Sequence, residues 1–425
     1  MSLTYLSERE AYGPKLPASA AWALTVMLAI VPIRGIIVLN SPVSATTVYG
    51  STAAAMVCLA CYGFATSRLY RESSVVLFRE LLAINLVLGL LNVAIDLILS
   101  VSVDASLFYF FLAPYSIFLF LRLPPRYLHV AFVVIACGIG YSVLDNFISA
   151  LQGPAVMLAY IGRLRPELAV GLSRTGDFYR AAGYTGSHHD SANILGMLLS
   201  YFIVRHSLRA QLIDLLVGLL CLLTIAMTQS AANIVVAFST TLLFLSYLLI
   251  SGRSARLLLN TLTGVIAVAI LGVMYSDVLT VFLVRVGDSG DWSGIATGLD
   301  QASLISSIPS LFVGHATGFG GESSDTEFAV LKIVLHLGIV HALVLLTILA
   351  WPLFRFMKQR VRSQDALPSL AAVTCGVASL VHYGSLLRVT SVFVFYSLAA
   401  LCIGTMLRDD EDKKSASLRN GRVVV

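Results

Sequence analysis

Charge is scarce in this chain: Asp, Glu, Lys and Arg together make up 12% of 425 residues, against 58% hydrophobic ones. Soluble domains carry roughly twice that share of charge, which argues against a water-soluble fold. Cysteine is absent where a disulfide framework would need it. Cys58, Cys61, Cys137, Cys221, Cys375 and Cys402 all fall inside apolar runs, and the two longest polar stretches contain none. The C-x-x-C pair Cys58/Cys61 sits within an apolar run, where small packing residues are expected rather than redox or metal chemistry. No H-x-x-x-H or H-E-x-x-H occurs, so the usual zinc signatures are missing. The first apolar stretch follows an 18-residue mixed-charge leader without a small-residue cleavage pattern; it is expected to be a retained span. No internal or inverted repeat is visible, which speaks against a symmetric transporter.

What the chain has in abundance is long hydrophobic runs. A helix rises 1.5 Å per residue, so about 20 apolar residues cross a hydrocarbon core, and backbone polar groups in lipid must be satisfied within helices or closed barrels. The expected fold is an all-α, polytopic integral membrane protein with about twelve transmembrane helices. The spans fall at residues 19–39, 46–66, 81–102, 106–121, 128–149, 191–204, 211–228, 230–250, 257–275, 328–354, 367–384 and 389–407. Residues 1–18 form a leader and 408–425 a charged tail expected to be unstructured.

The net charge of +5 matters for its placement, which reports topology rather than nucleic-acid binding. The connections after even-numbered spans are all basic, carrying Arg68, Arg71 and Arg79, Arg122 and Arg126, Arg205 and Arg209, Arg253 and Arg256, and Arg355 to Arg362. On the other side the short connections Asn40 to Ala45, Val103 to Ala105 and Thr228 to Ser230 lack Lys and Arg, so both termini are expected in the cytoplasm. Two long connections, 150–190 and 276–327, then lie outside, where loops of that length are usually functional or disordered. The second carries Ile295, Leu299, Ala302, Ile305 and Ile308 at helical spacing, as a helix lying on a membrane surface would.

The chemistry-bearing residues concentrate in these loops. Arg180, Gly183, His188, His189 and Asp190 run into the sixth span. Arginine offers a permanently charged fork for phosphate oxygens, and imidazoles beside a carboxylate can hydrogen-bond sugars or move protons. Arg163, Arg165 and Arg174 add positive charge; solvation of a basic loop or contact with anionic lipid would also explain them. His188, His189 and Asp190 include metal-ligand types, but adjacent ligands point in different directions. In the second loop Arg285 is followed by His315 between Gly314 and Gly318, and four glycines lie within residues 314–321. Such a stretch can turn tightly and present amide N–H groups to an anion or sugar, or be only a turn.

If a helix starts near Ser324, then Asp325, Lys332 and His336 share one face, with Lys332 and His336 each roughly 20° from Asp325. They would bring an acid, a base and an imidazole into the membrane, or form a neutralising Asp–Lys pair. Glu327 fits a capping box with Ser324. Arg34, beside Pro32, is expected to snorkel to the outer interface. Asp96, His382 and Arg388 also map toward the outer side and could line the same cavity.

Taken together, these residues resemble the bacterial O-antigen polymerase and O-antigen ligase superfamily. The resemblance is carried by Arg180-x-x-Gly183 through His189 and Ala192, Thr228-Gln-Ser230, Arg285, Gly314-His315-x-x-Gly318-x-Gly320, and Asp325 with Gly338, within residues 170–345. It implies an inner-membrane glycosyltransferase with two periplasmic loops, acting on undecaprenyl-pyrophosphate-linked oligosaccharide without metal or other cofactor. Arg180 and Arg285 match the arginines that engage the pyrophosphate. Ligase members have a His eleven residues before the span glycine, where this chain has Glu327, so it looks more like a polymerase. Asp325 is the first candidate base, with His315 and His189 behind it. Gly183, His188, Gly314, Gly318, Glu327, Lys332, His336, Arg388 and Asp96 are expected to line the cavity. Membrane lipids, a chain-length regulator and a flippase are the implied partners. The alternatives are a ligase acting on a lipid or protein acceptor, a glycan flippase or secondary transporter, and a non-catalytic assembly partner.

Overall fold

The computed structural model describes residues 16–70, 72–98, 111–164, 181–228, 230–252, 264, 330, 333–334, 337–359, 363–381 and 389–419. Among them there is no strand. The helices are α1 (Ala18–Ile33), α2 (Gly35–Asn40), α3 (Ala45–Thr66), α4 (Ser73–Ile98), α5 (Ser116–Phe120), α6 (Pro125–Leu151), α7 (Pro154–Leu164), α8 (His188–Arg209), α9 (Leu212–Met227), α10 (Ala231–Ile250), α11 (Ile339–Lys358), α12 (Leu367–Ala378) and α13 (Val389–Arg419). Six of them, α3, α4, α6, α10, α11 and α13, are long and apolar enough to cross a membrane, while α1, α7, α9 and α12 are shorter apolar helices. Large apolar side chains such as Val87, Leu91, Leu243 and Leu343 face outward. An apolar exterior on that scale suits lipid rather than water, and the chain has the build of a membrane protein.

The local rules explain where helices depart from the hydropathy reading. The first span breaks at Arg34, just after Pro32, which lacks the N–H that would continue the ladder. Arg34 bonds its Nη1 to the Val31 carbonyl at 2.8 Å and lies over the Tyr49 ring at 4.7 Å. α4 starts eight residues before the expected span, with the Glu72 carboxylate accepting from the Val75 N–H at 2.9 Å. Pro114 divides the expected fourth span into a 3₁₀ turn, Ala113–Tyr115, and the short α5. The tenth span is interrupted at Gly338, whose φ of 79° is unfavourable for other residues. The charged tail is helical as far as Arg419, against the expectation of an unstructured end. Of the expected ninth span only residue 264 is among the described residues. All six cysteines are free.

α8 is the hub. It packs against α6, α9, α10, α12 and α13, and every residue from Asp190 to Phe202 is buried. At its C-terminal end Ala210 adopts φ 53° and turns the chain directly into α9. There Arg205 Nη1 donates to both Asp214 oxygens, at 2.5 and 2.7 Å, and to His129 Nε2 at 2.9 Å. Arg205, Arg209 and Arg355 each have a carboxylate partner at this end. Arg209 pairs with Asp365 at 3.1 Å, and Arg355 reaches Glu72 at 3.4 Å and Asp410 at 3.5 Å.

The Asp214 side chain is fully buried and that of Arg205 nearly so, so removing one partner strands a charge. Arg205→Met should lower stability by about 3–5 kcal/mol, and adding Asp214→Leu should recover most of it. Thermal unfolding in detergent measures both. A loss below about 1 kcal/mol, the range of exposed pairs, would refute the assignment.

Candidate functional site

The opposite end of the bundle carries the segment that precedes α8. Its backbone is held by the C-terminal turns of α6. Asn146 Oδ1 accepts the Ala182 N–H at 2.7 Å and the Gly183 N–H at 3.4 Å, while its Nδ2 donates to Met157 Sδ at 3.0 Å. One turn earlier, Ser142 Oγ accepts the Tyr184 N–H at 3.0 Å. Gly183 and Gly186 have φ of 61° and 70°, and a Cβ on Gly183 would sit 2.6 Å from Ser142 Oγ. Only glycine combines that conformation with that approach. Across the segment, a Cβ at Gly35 would run into the Tyr184 carbonyl, so the break in the first span is where this loop seats. Burial raises the Tyr184 phenol above its ordinary range, with Tyr141 and Asp145 adding to the shift.

Hydroxyls complete the turn. Ser191 Oγ donates to the Ala182 carbonyl at 2.6 Å and lies 2.8 Å from Thr185 Oγ1, which accepts the Ser187 N–H at 3.2 Å. His188, His189 and Asp190 therefore stand on the first turn of α8 rather than in a loop as expected. The carboxylate of Asp190 suits a helix N-terminus. The two imidazoles lie against each other at a tilt, with centroids 3.8 Å apart and planes at 44°, and are partly exposed, while Asp190 is buried. His189 Nδ1 lies 3.1 Å from Ser230 Oγ, which accepts from Asn233 Nδ2 at 2.9 Å. The Ala181 N–H donates to the Met227 carbonyl at 3.4 Å. The Gly183–Ala192 stretch and the Thr228–Ser230 turn, distant in sequence, thus meet.

Of the residues picked from sequence, Gly183, His188 and His189 are brought together here. Asp96 falls in the last turn of α4. Arg180, Arg285, Gly314, His315, Gly318, Asp325, Glu327, Lys332, His336 and Arg388 lie outside the described residues, as do His382, Arg165 and Arg174. Arg163 ends α7, a helix inside the expected first long loop, and its Nη2 reaches the Val38 carbonyl at 3.4 Å. Among the described residues no three His, Cys, Asp or Glu side chains group to hold a metal ion.

The sequence reading missed Ser142 and Asn146. Their signal was a pair of polar residues four apart near the end of an otherwise apolar span. It also missed His341, three residues past Gly338. Asn92 Nδ2 donates to the Leu337 carbonyl at 3.0 Å and lies 3.2 Å from His341 Nδ1, and His341 Nε2 is 3.0 Å from Asn85 Oδ1. With Asn92 as donor, the ring proton sits on Nε2. Asn85 and Asn92, seven apart on one face of α4, were the available clue.

Compared with known proteins, the chain matches no family model and no curated sequence.

Asn146→Leu removes the acceptor for a buried N–H, a loss of about 1–3 kcal/mol. Amide hydrogen exchange should accelerate across residues 181–185 and stay unchanged in α12. Equal acceleration in both would show that Asn146 supports the whole bundle rather than this turn.

Proposed function

We propose that this chain is a membrane glycan polymerase of about twelve spans with both ends in the cytoplasm. It would transfer an undecaprenyl-pyrophosphate-linked glycan to a second lipid-linked repeat unit at the periplasmic face of the inner membrane. The observation that carries the reading is the meeting of two stretches that resemble O-antigen polymerases: His189, downstream of Arg180-x-x-Gly183, hydrogen-bonds Ser230 of the Thr228-Gln-Ser230 turn. The gathering of Arg122, Arg205, Arg209 and Arg355 at the other end of the bundle supports this end as the outer one.

In the proposed reaction an acceptor hydroxyl attacks the anomeric carbon of the donor sugar. The carbon–oxygen bond to phosphate breaks, and undecaprenyl pyrophosphate leaves with the electron pair. Guanidinium groups of Arg180 and Arg285 offset the charge building on that leaving group. A base takes the hydroxyl proton; Asp325 is the first candidate, and His189 is oriented for the role if its Nδ1–H donates to Ser230, making Nε2 the basic nitrogen. Sugar hydroxyls and diphosphate oxygens are the groups that imidazoles, amides and guanidinium forks recognise.

Purified protein incubated with a defined undecaprenyl-pyrophosphate oligosaccharide should yield a ladder of longer glycans on a gel. Arg180→Ala and Arg285→Ala should each slow it by about 10²–10³-fold, the cost of losing one electrostatic donor. A single block moved to another acceptor would mean ligation, and unaltered substrate moved across the bilayer would mean transport. Ladders unchanged in both variants would sink the reading.

A further inference from the structure

Steps of three and four residues place His189, Asn193, Gly196 and Ser200 on one side of α8, within roughly 60° of arc. Three of these four have neighbours in α10 or at its N-cap. His189 meets Ser230, a Cβ on Gly196 would lie 3.0 Å from Ala237 Cβ, and Ser200 Oγ is 3.0 Å from Thr241 Oγ1. A seam of small and polar residues thus descends from the candidate site between two parallel helices. Its pairs are satisfied at the top and at the bottom.

Asn193, in the middle, is different. It is 1% exposed, yet among the described residues neither its Oδ1 nor its Nδ2 has a hydrogen-bond partner. A carboxamide can donate twice and accept twice, and burying it unpaired among apolar helices is unfavourable. Such groups are exceptions in folded proteins, and each requires a reason. Leucine would fill the same space without the penalty.

We propose that the Asn193 carboxamide binds a sugar hydroxyl of the lipid-linked glycan, one helical turn beneath His189. The inference rests on the polymerase reading and adds a contact to it. A hydroxyl both donates and accepts, which matches the adjacent oxygen and NH₂ of an amide. A phosphate would use only the NH₂ and would face the buried carboxylate of Asp190 three residues away. His188 and His189, on the turn above, are partly exposed, so a glycan that reaches them is about one 5.4 Å turn from the amide.

The test uses the full-length protein in lipid nanodiscs, as wild type and as Asn193→Leu, with a defined undecaprenyl-pyrophosphate oligosaccharide. Without substrate, Asn193→Leu should melt about 2 °C or more above wild type, since two unmade hydrogen bonds are gone. Its KM for the oligosaccharide should rise about tenfold, the equivalent of one lost hydrogen bond of ordinary strength. An unchanged KM overturns the inference whatever the melting shift, and a raised KM with a lower melting temperature overturns it too, because the amide then holds the fold. Should Asn193→Leu fail to fold, Asn193→Ala decides by KM alone. If wild type itself neither elongates the oligosaccharide nor is stabilised by it, the polymerase reading has failed and the sugar contact falls with it; failure confined to the Asn193 comparison leaves that reading standing.

Discussion

The structure depends on the burial of a polar helix inside apolar ones. α8 carries His188, His189, Asp190, Asn193, Ser200, Arg205 and His206, yet its middle touches neither solvent nor the outer surface. In such surroundings an unpaired polar group is costly, and partners come from α6, α9 and α10 with its N-cap. Asp214 and His129 meet Arg205 at one end, Thr241 meets Ser200 in the middle, and Ser230 meets His189 at the other. These contacts set the rotation and depth of α8 against α6, α9 and α10. They also set where its N-terminal turn emerges, and that turn carries the candidate site.

A second device of the same kind couples α4 to α11. The break at Gly338 releases the Leu337 carbonyl from regular helical pairing, and Asn92 takes it up while also meeting His341. Phe111 stacks on the imidazole with centroids 5.2 Å apart. The arrangement lets a helix change direction deep in the bundle without an orphaned carbonyl. It also shows why polar residues in this protein need not be functional: Asn85, Asn92 and His341 satisfy one another. Asn193 differs in that both of its side-chain polar atoms lack a partner among the described residues.

Several of the helices were legible in the hydropathy, because a run of apolar residues in lipid has few alternatives to a helix. α3, α9 and α10 lie within a residue or so of the expected spans. The departures come from residues whose effect is local and stereochemical. Pro32 and Pro114 interrupt apolar runs that hydropathy reads as continuous, and Gly338 does so through its backbone angle. The first long loop holds α7, an apolar helix too short to register as a span. At the site, the residue types were readable: a glycine turn, two imidazoles and an acid beside an apolar run. What was not readable was that Asn146 and Ser142, some forty positions earlier, clamp that turn.

The sequence by itself determined that the chain is helical and lipid-compatible and that its basic residues recur at alternate connections, since composition and spacing act over a single helix. Only the tertiary structure decided which helix is central, that the Arg205–Asp214 pair is buried, that His189 meets Ser230, and that Asn193 is left without a partner. The physical reason is that hydrogen bonding inside an apolar bundle is settled between helices. A polar residue's role there follows from which neighbour reaches it, and the linear order of residues does not say.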